Sequence, residues 1–185
     1  MTYYLVGLFD NVSYAYIESL QKCICEKYNL YNPTTDLPKL HITLETITDP
    51  NLVDLDIVLK DIIKDYTKFQ VKLDGVICFD PPFKSVNLHI KNKGTVYELS
   101  KKINTILSSQ GFNVRENIEN WNLHISLANT TFADREWSNN EYLAACNLAK
   151  DEKFSQTITV CGIELWKPIN NTVEMVVNKY DLKNA

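Results

Sequence analysis

The chain has 185 residues, close to the length of one domain, with 45% hydrophobic and 23% charged residues, which is enough apolar material for a packed core. Its 19 Lys and Arg against 23 Asp and Glu give a formal charge of −4, which excludes the electrostatic footprint of a protein that tracks a long nucleic-acid duplex. Only 5 Gly and 6 Pro are present, without clustering, so long linkers are excluded too.

Tyr3 to Phe9 is an aromatic and branched run of strand length, followed by Asp10 and Ser13, which suit a turn and a helix N-cap. From Tyr14 to Tyr28, Ile17, Leu20, Ile24 and Tyr28 recur at spacings of three and four and predict a helix. A loop marked by Pro33, Asp36 and Pro38 leads to Leu40-His41-Ile42-Thr43-Leu44, whose alternation is that of a strand with one buried face. Asp49-Pro50 reads as N-cap and first turn of a second helix, with Leu52, Leu55, Leu59, Ile62 and Tyr66 on its apolar side.

Phe69 to Phe79 and Val86 to Ile90 read as strands joined through Asp80-Pro81-Pro82. A third helix is predicted from Thr95 to Gln110, with Gly111 as its C-terminal cap. Leu123-His124-Ile125-Ser126-Leu127 is again a strand, and Ser138 with Glu141 has capping-box spacing for a helix to Lys150. Strands at Phe154 to Trp166 and Thr172 to Tyr180 close the chain. The predicted order is β-α-β-α-β-β-α-β-α-β-β, one domain over residues 1–185 in two similar halves.

The five cysteines, Cys23, Cys25, Cys78, Cys146 and Cys161, are odd in number and lack CxxC spacing, and are read as reduced, mostly buried thiols. No stretch approaches the ~18 apolar residues of a membrane span, and the apolar start lacks the features of a signal peptide. A soluble, cytoplasmic, monomeric protein is expected.

One short pattern occurs twice in equivalent places: His41-Ile42-Thr43 and His124-Ile125-Ser126, each inside a Leu-x-Ile-x-Leu frame and 83 residues apart. Alternation puts His41 and Thr43 on one strand face, with Glu45 beyond them, and puts His124 and Ser126 on another. A duplicated fold would bring the two imidazoles and two hydroxyls to opposite sides of one cleft.

Facing imidazoles suit in-line displacement at phosphorus. One neutral His takes a proton from the attacking oxygen, and the other, protonated, delivers one to the departing oxygen. The Thr43 and Ser126 hydroxyls are read as donors to the non-bridging oxygens. The scheme requires no metal and no cofactor. Only Arg115 and Arg135 could supply guanidinium to a phosphate.

On these motifs, His41-Ile42-Thr43-Leu44 and His124-Ile125-Ser126-Leu127, the chain resembles the two-histidine (2H) phosphoesterases, the superfamily of 2′,5′ RNA-ligase-like proteins and cyclic nucleotide phosphodiesterases. The resemblance covers nearly the whole length. It implies an α+β, bilobal, duplicated fold, with two mostly antiparallel sheets and outer helices around a central cleft. It also implies metal-independent hydrolysis of a 2′,3′-cyclic, 2′,5′-linked or ADP-ribose cyclic phosphate. His41 and His124 become the acid/base pair, and Thr43 and Ser126 the phosphate-binding hydroxyls. Ligase-like members often carry Arg five residues after the second His, where this chain has Asn129, which favours another branch of the superfamily.

Lys39 is a candidate to add positive charge to the phosphate site, and Phe83 and Trp121 are candidates to stack a base. His89 has no hydroxyl two residues on and reads as an ordinary strand histidine. The expected partner is a small nucleotide or RNA end, with no membrane and no long duplex. Three other readings are a non-catalytic module that senses nucleotide or RNA ends, a metal hydrolase using His41, His124 and Glu45, and Ser126 as nucleophile. The metal reading is short of ligand spacing, and the nucleophile reading lacks a G-x-S-x-G elbow.

Overall fold

The computed structural model describes residues 1–31, 37–91, 94–151 and 154–184. The loop markers Pro33 and Asp36 lie outside the described residues. The elements are β1 (Thr2–Phe9), α1 (Asn11–Lys27), β2 (Ile42–Thr48), α2 (Leu52–Ile63), β3 (Phe69–Phe79), β4 (Ser85–Ile90), α3 (Thr95–Ser109), β5 (Asn113–Val114), β6 (His124–Ala128), α4 (Asn139–Asp151), β7 (Thr157–Trp166) and β8 (Val176–Asp181). Every predicted helix and strand is present, and the two-residue β5 is added.

Boundaries follow local hydrogen bonding. Asp10 caps α1 by accepting from the Ser13 N–H at 2.8 Å. Ser138 and Glu141 form the reciprocal box ahead of α4, at 2.7 and 3.2 Å. Gly111, at φ 83°, turns the chain out of α3 in the left-handed region that glycine tolerates. The predicted cap of α2 is corrected: Asn51, not Asp49, accepts from the Val53 N–H, at 3.1 Å. Asp49 instead sits at φ 47° and pairs with the N-terminal ammonium. β8 starts at Val176 rather than Thr172 because the Asn171 side chain accepts from the Val173 and Glu174 N–H groups and holds those residues in a turn.

The strands form one eight-stranded sheet in the order β5-β2-β1-β7-β3-β4-β6, with β8 added at β7. All named strand pairs are antiparallel. β3 joins the two lobes: Phe69 to Lys72 pair with β7, and Leu73 and Val76 to Phe79 pair with β4. β2 and β6 lie five places apart along the sheet, yet they touch, so the sheet curls until its two motif strands meet.

A continuous core fills the space between the sheet and the helices. It includes Leu5, Ile17, Leu44, Leu59, Leu88, Leu99, Ile125 and Val160, each fully buried. On the other sheet face, Val6, Trp166 and Met175 form a smaller cluster with Tyr4, Leu8 and Val176.

The cysteine reading is corrected as well. Cys78 on β3 and Cys146 on α4 form a disulfide, with Cα atoms 6.3 Å apart across a sequence separation of 68. Cys23 is exposed, Cys25 buried and Cys161 half-buried. Packing of α4 on β3 sets that pairing, and no local spacing announces it. Among the described residues, no helix is long and apolar enough to cross a membrane.

Candidate active site

Each motif is held by its apolar frame. Leu40, Ile42 and Leu44 are buried in the core while His41 and Thr43 stay half-exposed; Leu123, Ile125 and Leu127 are buried while His124 and Ser126 stay half-exposed. Because β2 and β6 meet, Thr43, His124 and Ser126 come to line one cavity; His41 is not among its lining residues but lies near enough that a positive charge on His124 disfavours one on His41.

Glu45 does not share that face. Leu5 pairs with Glu45 but Val6 with Thr43, so β2 carries a bulge that shifts its alternation by one residue. Thr46 then lines the cleft beside Thr43, and Glu45 turns inward, 0% exposed. Arg115 Nε lies 3.0 Å from the Glu45 carboxylate and Asn104 donates to it at 2.8 Å. Burial lifts the Glu45 carboxyl above its ordinary value even beside Arg115. Among the described residues no three His, Cys, Asp or Glu side chains converge as a metal-ligand group.

The two imidazoles are oriented in the same way. His41 Nδ1 lies 2.8 Å from the Lys39 carbonyl and His124 Nδ1 lies 2.7 Å from the Asn122 carbonyl. A carbonyl only accepts, so each Nδ1 carries its proton and each Nε2 is left with a lone pair. An aromatic ring stands edge-on to each: Trp166 at 4.8 Å from His41, and Phe79 at 4.9 Å from His124. Burial pushes the His41 pKa down to about 4, against the raising effect of its carbonyl bond, and lowers that of His124 in the same sense. Both rings are therefore neutral at pH 7 without a ligand.

A cavity of about 740 Å³ opens at this point, lined by Thr43, His124 and Ser126 from the motifs and by Phe83, Trp121 and Asn129 among others. Trp121 and Phe83 both lie at the cavity. Phe83 is 68% exposed at its rim, and Trp121 is braced by the Arg115 guanidinium 3.6 Å from its ring centroid. Asn129, in the place of the missing Arg, accepts from the Thr131 N–H at 2.8 Å. Lys39 turns elsewhere: its ammonium lies 3.5 Å from the Glu164 carboxylate and over the Trp166 ring. Glu164 also accepts from the Trp166 indole N–H at 2.7 Å, fixing the ring that backs His41.

Sequence reasoning missed Trp166, Phe79 and Asn87, and it offered Arg115 as a guanidinium for phosphate where the structure sets it against Glu45 and the Trp121 ring. Asn87 on β4 pairs with Ser126 across the ladder, and the Ser126 hydroxyl donates to its side-chain carbonyl at 2.8 Å. His89 pairs with His124 in the same ladder, so a positive charge on one would disfavour a positive charge on the other. The available signal was the polar Asn87 and His89 in the otherwise apolar run from Val86 to Ile90.

The solved structures similar to this chain include TT0787 of Thermus thermophilus, at TM-score 0.66 and 15% identity over 100% of this chain and 99% of that one. E. coli LigT complexed with 3′-AMP matches at TM-score 0.59 and 12% identity over 98% of each chain. Kluyveromyces marxianus Usb1 matches at TM-score 0.52 and 14% identity over 98% of each chain. These likenesses show the α+β fold of the 2H phosphoesterases. No curated protein sequence matches this chain. The model of the AKAP7 2′5′ RNA ligase-like domain matches residues 6–171. With that match over most of its length, and with this fold, the chain belongs to the AKAP7 2′5′ RNA ligase-like domain family of the 2H phosphoesterase superfamily.

Proposed function

We propose that the cleft hydrolyses a 2′,3′-cyclic, 2′,5′-linked or related cyclic phosphate at a nucleotide or RNA end, using His41 and His124 as the acid/base pair and no metal. One observation carries this reading: two imidazoles on touching strands, each with Nδ1 tied to a backbone carbonyl, each with Nε2 left for proton transfer, and each followed by a hydroxyl. Family membership supports phosphodiester chemistry of this type.

The reaction needs one neutral and one protonated imidazole. Burial supplies neutral rings, and the negative charge of a bound diester favours protonation of one of them. Thr43 and Ser126 flank the phosphate from the two strands. Trp121 and Phe83 offer aromatic surface to a base, while Lys39, paired with Glu164, is left out of the phosphate site. A ligand of this kind is consistent with LigT, whose structures hold 3′-AMP, ATP and NADP+.

The test is turnover of 2′,3′-cyclic nucleotides, 2′,5′-linked oligoadenylate and ADP-ribose 1″,2″-cyclic phosphate in the presence of chelator. Wild type should turn over at least one, and His41→Ala and His124→Ala should each lose roughly 10²- to 10⁴-fold in kcat, the usual weight of a general acid or base. Near-wild-type turnover by either variant would overturn the two-histidine mechanism. Tight binding of the same compounds with no turnover would replace the enzyme by a sensing module.

A further inference from the structure

The two motif hydroxyls, alike in sequence, differ in what they can offer a ligand. Asn87 is 0% exposed, and its side-chain nitrogen lies 3.2 Å from the Ile77 carbonyl, 3.2 Å from the Ser85 carbonyl and 3.0 Å from Ser85 Oγ. The two carbonyls accept only, so the amide is fixed with its nitrogen toward them and its oxygen toward Ser126. That oxygen also accepts only, so the bond at 2.8 Å consumes the single proton of the Ser126 hydroxyl. What Ser126 presents to the cavity it lines is a pair of lone pairs. Turning the proton toward a ligand would strand the Asn87 oxygen inside the sheet without a donor. On the other strand, no described residue occupies the Thr43 hydroxyl, which is able to donate.

The non-bridging oxygens of a phosphodiester accept hydrogen bonds, so Thr43 matches them and Ser126 does not. What matches Ser126 is an O–H group. Resting on the phosphodiesterase reading above, we propose that Asn87 is a positioning residue that makes Ser126 an acceptor for the attacking water. Such a water gives one proton to a histidine Nε2 and points the other at Ser126 Oγ, which leaves an oxygen lone pair directed at phosphorus. As the new P–O bond forms, the histidine-bound proton leaves the water. The bridging P–O bond breaks, and the departing oxygen receives a proton from the other histidine. The proton held by Ser126 stays on the product as P–OH.

The test pairs sulfate titration with kinetics on 2′,3′-cyclic AMP. Sulfate at pH 7 carries acceptors only. Thr43→Ala should raise its Kd at least fivefold, Ser126→Ala should leave it within twofold, and Asn87→Leu, which frees the Ser126 proton, should lower it. In turnover, Ser126→Ala should lose at least tenfold in kcat with KM within twofold, and Ser126→Thr should restore most of the loss. Should Asn87→Leu fail to fold, the two Ser126 variants still decide. If Ser126→Ala weakens sulfate as Thr43→Ala does, or raises KM in place of lowering kcat, Ser126 is a phosphate donor and the proposal is overturned. If wild type does not turn over 2′,3′-cyclic AMP or the other cyclic and 2′,5′-linked probes, the phosphodiesterase reading falls and the water-positioning role with it. The sulfate series then still reports which hydroxyl donates.

Discussion

Burial holds the His41 imidazole neutral down to about pH 4, whereas in an unfolded chain the ring titrates near 6.5. Between those values the unfolded state binds more protons, so this residue's contribution is fully present above pH 6.5 and is lost as the pH falls toward 4. The difference corresponds to about 3 kcal/mol. Urea denaturation at pH 7.5 and pH 5 should show about 2 kcal/mol of that loss in wild type and a smaller loss in His41→Asn; an equal loss in both would place the acid sensitivity elsewhere. A ligand anion opposes the trend by favouring the charged ring. The motif pairs were legible from sequence because strand alternation alone puts His41 with Thr43 and His124 with Ser126. Asn87 and Arg115 were not, because each meets its partner through cross-strand or loop packing.

At the scale of elements, apolar periodicity located all four helices, since a repeat of three and four states which side must be covered. Ends and alternation depended on competing polar groups. Asp49 and Asn51 both suit an N-cap, and the left-handed backbone at Asp49 with its bond to the N-terminus decides for Asn51. Accordingly, Asn51→Ala should cost about 1 kcal/mol in urea denaturation, the usual loss for a cap, and Asp49→Ala markedly less. The reverse order would place the helix start at the earlier residue. The bulge in β2 is the second such case. An extra residue opposite the Leu5/Val6 step carries no compositional mark, yet it decides that Glu45 joins the buried pair with Arg115 while Thr46 reaches the cleft.

Over the whole molecule, the duplicated motif made the bilobal arrangement legible, and the superfamily fold bears it out. The continuous sheet and the disulfide were not legible, since both join distant segments. Cys78 and Cys146 close a loop with a sequence separation of 68, which in the chain-entropy description stabilises the fold by about 4 kcal/mol. Thermal melts should therefore fall by several degrees on reduction, and Cys78→Ala/Cys146→Ala should match the reduced protein and ignore the reductant. A melt unmoved by reductant in wild type would show the bond absent in solution. Cys78 precedes Phe79, the ring against His124, so the bond anchors the strand at one wall of the site.

β3 pairs with β7 over its first four residues and with β4 at Leu73 and from Val76 to Phe79, the Leu73 and Gly75 N–H groups between them donating to the Gln156 and Phe154 carbonyls. The lobes thus share a beam where many two-lobed proteins have a hinge. Swinging them apart would mean unzipping a central strand rather than rotating a linker. A ligand should therefore reach the cavity past side chains at its rim, where Phe83 is 68% exposed, with little rigid-body closure of the two lobes.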